Sequence, residues 1–240
     1  MPPEFVTHLE ELRRRLIVCL VAFLAAGIVA YFFSGELLEI LIAPLRRFHS
    51  ADLVFLKPYE AFVTHLKVAA ITGFVASTPV FFTQGWRFVA PGLYHTEKKA
   101  MLPLIFVSVF LFIAGTLFAY WVVVPWGLHF LLSFQTQGLR PLLSVGPYFS
   151  FLTGMIVAFG LLFDFPVLIL GLVRLGVVGS RDLAKARRLM IVCIFIAAAV
   201  LTPSPDPLSQ LLLAFPLIFL FEVSLAIARG MESGRSRPPA

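Results

Sequence analysis

Six long apolar runs constrain this chain more than any other feature. Residues 16–33, 68–89, 101–124, 151–173, 189–201 and 208–227 contain only three charged side chains between them, Arg87, Asp164 and Glu222. Runs of this kind lie in a hydrocarbon core as helices, because a helix satisfies its own backbone N–H and C=O groups where no water can. Composition agrees: 60% of the residues are hydrophobic and 13% are charged, against about 25% charged in soluble domains. The expected fold is an all-α integral membrane protein with six transmembrane helices, forming one membrane domain over residues 1–240.

In chain order, residues 1–15 hold Glu4, Glu10, Glu11, Arg13, Arg14 and Arg15 and read as an amphipathic start on the membrane surface. Thr7 is placed to cap it, and Glu11 and Arg15 are spaced i, i+4 for an ion pair. Because the first apolar run is longer than a cleaved signal would need, it reads as a retained span. Residues 34–67 and 125–149 are expected to be caps on one face, and 90–100 and 174–188 loops on the other. The Pro/Ser/Arg-rich stretch 228–240 is expected to be a flexible tail. Pro79 predicts a kink in the second span, and Tyr120, Trp121 and Trp126 predict an aromatic belt. Cys19 and Cys193 both lie within apolar runs and read as small buried groups rather than a disulfide framework.

The fifth and sixth runs are short. Residues 189–201 make only about 20 Å of helix at 1.5 Å per residue, against a hydrocarbon core of roughly 30 Å. Such a pair thins the bilayer or is covered by neighbours. Six spans place both termini on one side, and fourteen of the nineteen Lys and Arg residues fall there. The positive-inside rule makes that side cytoplasmic. The net charge of +6 thus reads as a topology signal, not as nucleic-acid binding.

Chemistry is concentrated in a few residues. No His-Glu-x-x-His, no facing pair of intramembrane carboxylates and no Gly-rich phosphate loop is present, so metalloprotease, aspartyl protease and ATPase readings all fail, and no metal or cofactor is implied. Asp164 is the costliest residue, since a charge at a helix centre costs about 2.5–3.5 kcal/mol on insertion scales. It must face protein or water, and it serves either a structural hydrogen bond or a function. Two cytoplasmic acids, Glu11 and Glu97, stand among bases and can receive guanidinium groups bidentately, which a lysine cannot reproduce. A small-solute secondary transporter is the rival reading, but the two halves lack corresponding broken helices.

Six motifs in order carry a resemblance: His8-Leu-Glu-Glu-Leu-Arg-Arg-Arg15, Pro58-Tyr-Glu-Ala-Phe62, Ser77-Thr-Pro79, Phe88-Val-Ala-Pro-Gly-Leu-Tyr94 with Glu97-Lys98, Phe159-Gly-Leu-Leu-Phe-Asp-Phe-Pro166, and Leu201-Thr-Pro203 with Asp206. Together they resemble the TatC family, the multispanning subunits of the twin-arginine translocase. The resemblance implies a concave bundle with kinked helices in a prokaryotic plasma membrane, with both termini cytoplasmic. It implies a non-enzymatic receptor for twin-arginine signal peptides that organises proton-motive-force-driven export of folded proteins. The implied partners are the signal peptides, single-pass TatA/TatB-type subunits, membrane lipid and further copies of the chain. It assigns signal-peptide binding to Glu11, Arg13, Phe88, Pro91, Leu93, Tyr94 and Glu97, an intramembrane polar role to Asp164, and structural or periplasmic-cap roles to Pro44, Pro58, Glu60 and Asp206. One departure stands out, because the family's usual residue at the Asp164 position is glutamate, one methylene longer.

Overall fold

The computed structural model describes residues 3–46, 53–89, 101–133, 143–174, 178–201 and 207–235. These form helices α1 (Pro3–Phe32), α2 (Ser34–Arg46), α3 (Glu60–Val89), α4 (Met101–Phe118), α5 (Val124–Ser133), α6 (Val145–Phe163), α7 (Phe165–Arg174), α8 (Ser180–Lys185), α9 (Arg187–Leu201) and α10 (Pro207–Arg235). A five-residue π segment, Ala119–Val123, joins α4 to α5. Five stretches are long and apolar enough to cross a membrane: Thr7–Phe32, Glu60–Phe88, Leu102–Ser133, Val145–Val173 and Leu213–Gly230. The run at 189–201 is helical as expected, but α9 has only 15 residues and is not among those five.

Helices α6 and α7 form the centre. Of the apolar window in Val145–Val173, 56% is buried, against 11% for that of α1 at the edge. Phe149, Leu152 and Phe159 of α6 pack with Phe221 and Leu213 of α10 in one core. Where helices cross, side chains are absent for a reason. A Cβ on Gly73 of α3 would lie 2.6 Å from the Gly27 backbone of α1, and one on Gly115 of α4 would lie 2.4 Å from the Phe159 carbonyl of α6. Small residues let backbones approach where dispersion contacts, not water exclusion, hold membrane helices together.

A proline inside a helix leaves a carbonyl without its backbone donor, and in α2 a distant side chain supplies one. Pro44, buried within α2, cannot donate to the carbonyl of Ile40. That carbonyl accepts instead from the Tyr120 hydroxyl at 2.6 Å, while the neighbouring Leu41 carbonyl accepts from Tyr148 at 2.7 Å. The π segment carries Tyr120, and it precedes Pro125, which removes another helical donor. We expect Tyr120→Phe to lower stability by about 1 kcal/mol, because it leaves an acceptor unmet while keeping the ring. Thermal unfolding in detergent checks this, and an unchanged midpoint would show that the carbonyl needs no such donor.

Several boundaries differ from the sequence expectation. Residues 3–15 continue directly into the first span as one helix, so Thr7 lies inside α1 rather than capping it. The next span starts at Glu60, not 68, and the third runs past 124 to Ser133. Helix α10 has 29 residues and continues to Arg235, through part of the stretch read as a flexible tail, while its apolar spanning part, Leu213–Gly230, has 18 residues. At 3–15, 60–67 and 228–235 an established helix propagates into polar sequence, since extending it adds one hydrogen bond per residue ordered, whereas 125–133 is itself mostly apolar. Cys193 is exposed on the outer surface of α9, whereas Cys19 is buried. Trp121 and Trp126, at 53% and 62% exposed, have the outward placement expected of a belt.

Candidate functional site

At the end of the bundle where α1 begins, its first turns lie against the last turns of α3. Glu11 accepts from Arg15 as its i, i+4 spacing predicts, with both Nε, at 3.1 Å, and Nη2 directed at the same oxygen, Oε1. The other oxygen, Oε2, is 3.9 Å from His8 Nδ1. Arg15 also bridges the helices, because its Nη1 lies 3.4 Å from both the backbone and the side-chain oxygen of Gln84 on α3. One turn towards the amino terminus, the His8 ring stacks on Phe88 with centroids 4.4 Å apart and planes inclined by 21°. Thus the first and fourth sequence motifs meet in space. Beside them opens a cleft of about 280 Å³ lined by Glu11, Arg14, Arg15, Val18, Gln84 and Arg87.

This cleft suits a cation that can offer hydrogen-bond donors in a fork. One carboxylate stands among three guanidinium groups, so a further simple positive charge gains little there. A ligand guanidinium can reach the free Oε2, take both oxygens once Arg15 releases Oε1, and present a flat face to the His8–Phe88 stack. Arg13 is exposed on α1, outside the cleft lining.

Asp164 occupies the break between α6 and α7. Pro166 cannot donate to the Leu162 carbonyl, and the Asp164 N–H turns to Leu161 and Leu162 instead. The Asp164 carbonyl in turn accepts from Val167 and Leu168 at 3.0 and 3.1 Å, restarting the helix. Its side chain is 5% exposed, and neither oxygen has a hydrogen-bond partner among the described residues. The backbone break is therefore explained locally, but the buried carboxyl is not.

At the opposite end, Glu60 ties the chain leading into α3 to the start of α6. Its Oε2 accepts from the Leu56 and Lys57 amides at 2.6 and 3.3 Å, and its Oε1 from the Ser144 hydroxyl at 2.7 Å and the Gly146 amide at 3.3 Å. A parallel bridge between Val54 and Ser144 runs alongside. A Cβ on Gly146 would fall 2.5 Å from Glu60 Oε1, so a side chain there would push the carboxylate away from its donors. Pro58 sits in the turn just before α3. Glu222, midway along α10, pairs with Arg187 Nε of α9 at 2.6 Å.

Pro91, Leu93, Tyr94, Glu97 and Asp206 lie outside the described residues. Of the expected binding residues, the structure thus brings together Glu11 and Phe88. Sequence reasoning missed Gln84, which has no motif to mark it, and assigned Tyr120 only to a belt. The orphan carbonyl left by Pro44 was the available clue for Tyr120.

A family model described as Sec-independent protein translocase protein (TatC) matches residues 7–216. The Sec-independent protein translocase protein TatC of Magnetococcus marinus is 40% identical over 237 residues, covering 98% of this chain and 87% of the relative. That of Aquifex aeolicus is 40% identical over 225 residues, covering 92% of this chain and 93% of the relative. A crystal structure of the twin arginine translocase receptor TatC superposes with a TM-score of 0.81 at 39% identity, covering 92% of this chain and 98% of that one. A second, in DDM, gives a TM-score of 0.83 at 38% identity, covering 92% and 99%.

Proposed function

The chain belongs to the TatC family of Sec-independent protein translocases, and from that premise we propose that it is the subunit that reads the paired arginines of twin-arginine signal peptides. It is a multi-pass membrane protein and a translocase component. The observation that carries the receptor reading is the meeting of Glu11, His8 and Phe88 from two helices beside a cleft. Glu11 receives one guanidinium of the signal, and Glu97 supplies the second carboxylate. Arg13 orients the exposed rim, while Pro91, Leu93 and Tyr94 continue the surface that begins at Phe88.

In this reading six helices cross the membrane with both termini cytoplasmic, the short α9 being the fifth, and the membrane is a prokaryotic plasma membrane. The signal's apolar segment lies along the concave face of the bundle near Asp164. Single-pass TatA/TatB-type subunits and further copies of the chain assemble beside α9 and α10, where a 15-residue helix thins the surrounding lipid. Glu60, Pro44, Pro58 and Asp206 hold the periplasmic end rigid while the proton-motive force drives folded cargo across.

The test is direct binding of a labelled signal peptide to the protein in nanodiscs. Changing the peptide's Arg-Arg to Lys-Lys is expected to weaken binding about tenfold or more, because each charge-assisted hydrogen bond to a carboxylate contributes about 1.5–3 kcal/mol and lysine cannot form the fork. Equal binding of the two peptides would refute the receptor reading. It would favour small-solute transport centred on Asp164.

A further inference from the structure

The Glu11 carboxylate is already engaged. Arg15 directs two of its nitrogens at Oε1, which leaves a ligand only Oε2, 3.9 Å from His8. A guanidinium fork needs both oxygens. Arg15 also has a second set of acceptors within reach, since its Nη1 lies 3.4 Å from two oxygens of Gln84. Those contacts are longer than the usual 2.9–3.0 Å for such a bond, so they have room to tighten.

We propose that Arg15 is an internal competitor for the ligand's guanidinium, so that a signal peptide binds by exchange: its arginine takes Glu11, and Arg15 moves onto Gln84. This rests on the receptor reading and extends it by naming the residue that sets selectivity. A ligand arginine replaces both bonds that Arg15 gives up. A ligand lysine replaces them with a single point contact and leaves Arg15 in place. Arg14 and Arg87 line the same cleft and oppose an incoming arginine or lysine alike, so their charge lowers affinity for both without setting the choice. Arg15 is thus a specificity-determining residue acting through Glu11.

The experiment measures Arg-Arg and Lys-Lys signal peptides on full-length protein in nanodiscs, comparing wild type with Arg15→Lys, Arg15→Gln and Arg14→Gln. Both Arg15 variants are expected to bind the Arg-Arg peptide about threefold tighter, the scale of one partly exposed ion pair. The Lys-Lys peptide gains more, so discrimination narrows. Arg14→Gln removes the same charge from the same cleft and is expected to leave the ratio of the two peptides unchanged. In a Glu11→Gln background, replacing Arg15 is expected to change nothing. Unchanged or weaker binding in both Arg15 variants, with wild type still preferring Arg-Arg, would overturn the exchange and leave Arg15 as a prop for Glu11. Tightening that persists in the Glu11→Gln background, or that Arg14→Gln reproduces together with the narrowing, would reduce the effect to bulk charge and also overturn it. Wild type that does not distinguish the peptides would instead refute the receptor reading itself.

Discussion

Replacing Asp164 by alanine is expected to make the protein harder to unfold and unable to export. The side chain is 5% exposed, with neither oxygen hydrogen-bonded among the described residues. A buried polar group without a partner costs about 1–3 kcal/mol, and deleting it removes that cost at the expense of a cavity only a few atoms in size. The net expectation is a gain of about 1 kcal/mol in detergent unfolding. An unfavourable buried acid is retained where function uses it, so export of a folded reporter is expected to fall to background. A drop in stability would show instead that the carboxyl makes a structural hydrogen bond in the folded protein. Asp164→Asn separates two functional roles, because it keeps size and polarity but cannot take up or release a proton. If export survives in Asp164→Asn, titration is removed from the mechanism and a positioning role remains.

Glu11→Gln is expected to weaken binding of an Arg-Arg signal peptide by about tenfold or more, the loss of at least one charge-assisted hydrogen bond. The fold should be little affected, since the Glu11–Arg15 pair is partly exposed and an i, i+4 pair of that kind adds little to stability. Isothermal titration with the purified variant, alongside its melting curve, separates the two effects. Binding that falls only in step with melting would make Glu11 a structural residue. Unchanged binding in a well-folded variant would leave Glu97 to carry recognition alone.

The helices were legible in the sequence to the degree that they obey local rules. Apolar runs marked five stretches long and apolar enough to span, and i, i+4 spacing marked the Glu11–Arg15 pair. Helix ends were less legible. Polar residues 3–15, 60–67 and 228–235 are helical because a helix already formed extends at small cost, which composition cannot reveal. The cap was visible as a polar stretch containing Glu60, but not as a carboxylate with four donors, two of them from residues 144 and 146. Gln84 carried no signal at all, since its part depends on which way α3 is turned.

The sequence by itself determined that this is a helical membrane protein built on long apolar runs, and where a costly acid sits among them. It did so because hydrocarbon imposes a rule on each segment separately: bury the backbone's hydrogen bonds and expose apolar side chains. Only the tertiary structure decided that His8 stacks on Phe88, that Arg15 reaches Gln84, and that Tyr120 serves the carbonyl left open by Pro44. Those contacts depend on the axial register and rotation of neighbouring helices. Both are set by backbone approaches such as Gly27 to Gly73 and Gly115 to Phe159, where a single Cβ would force the helices apart.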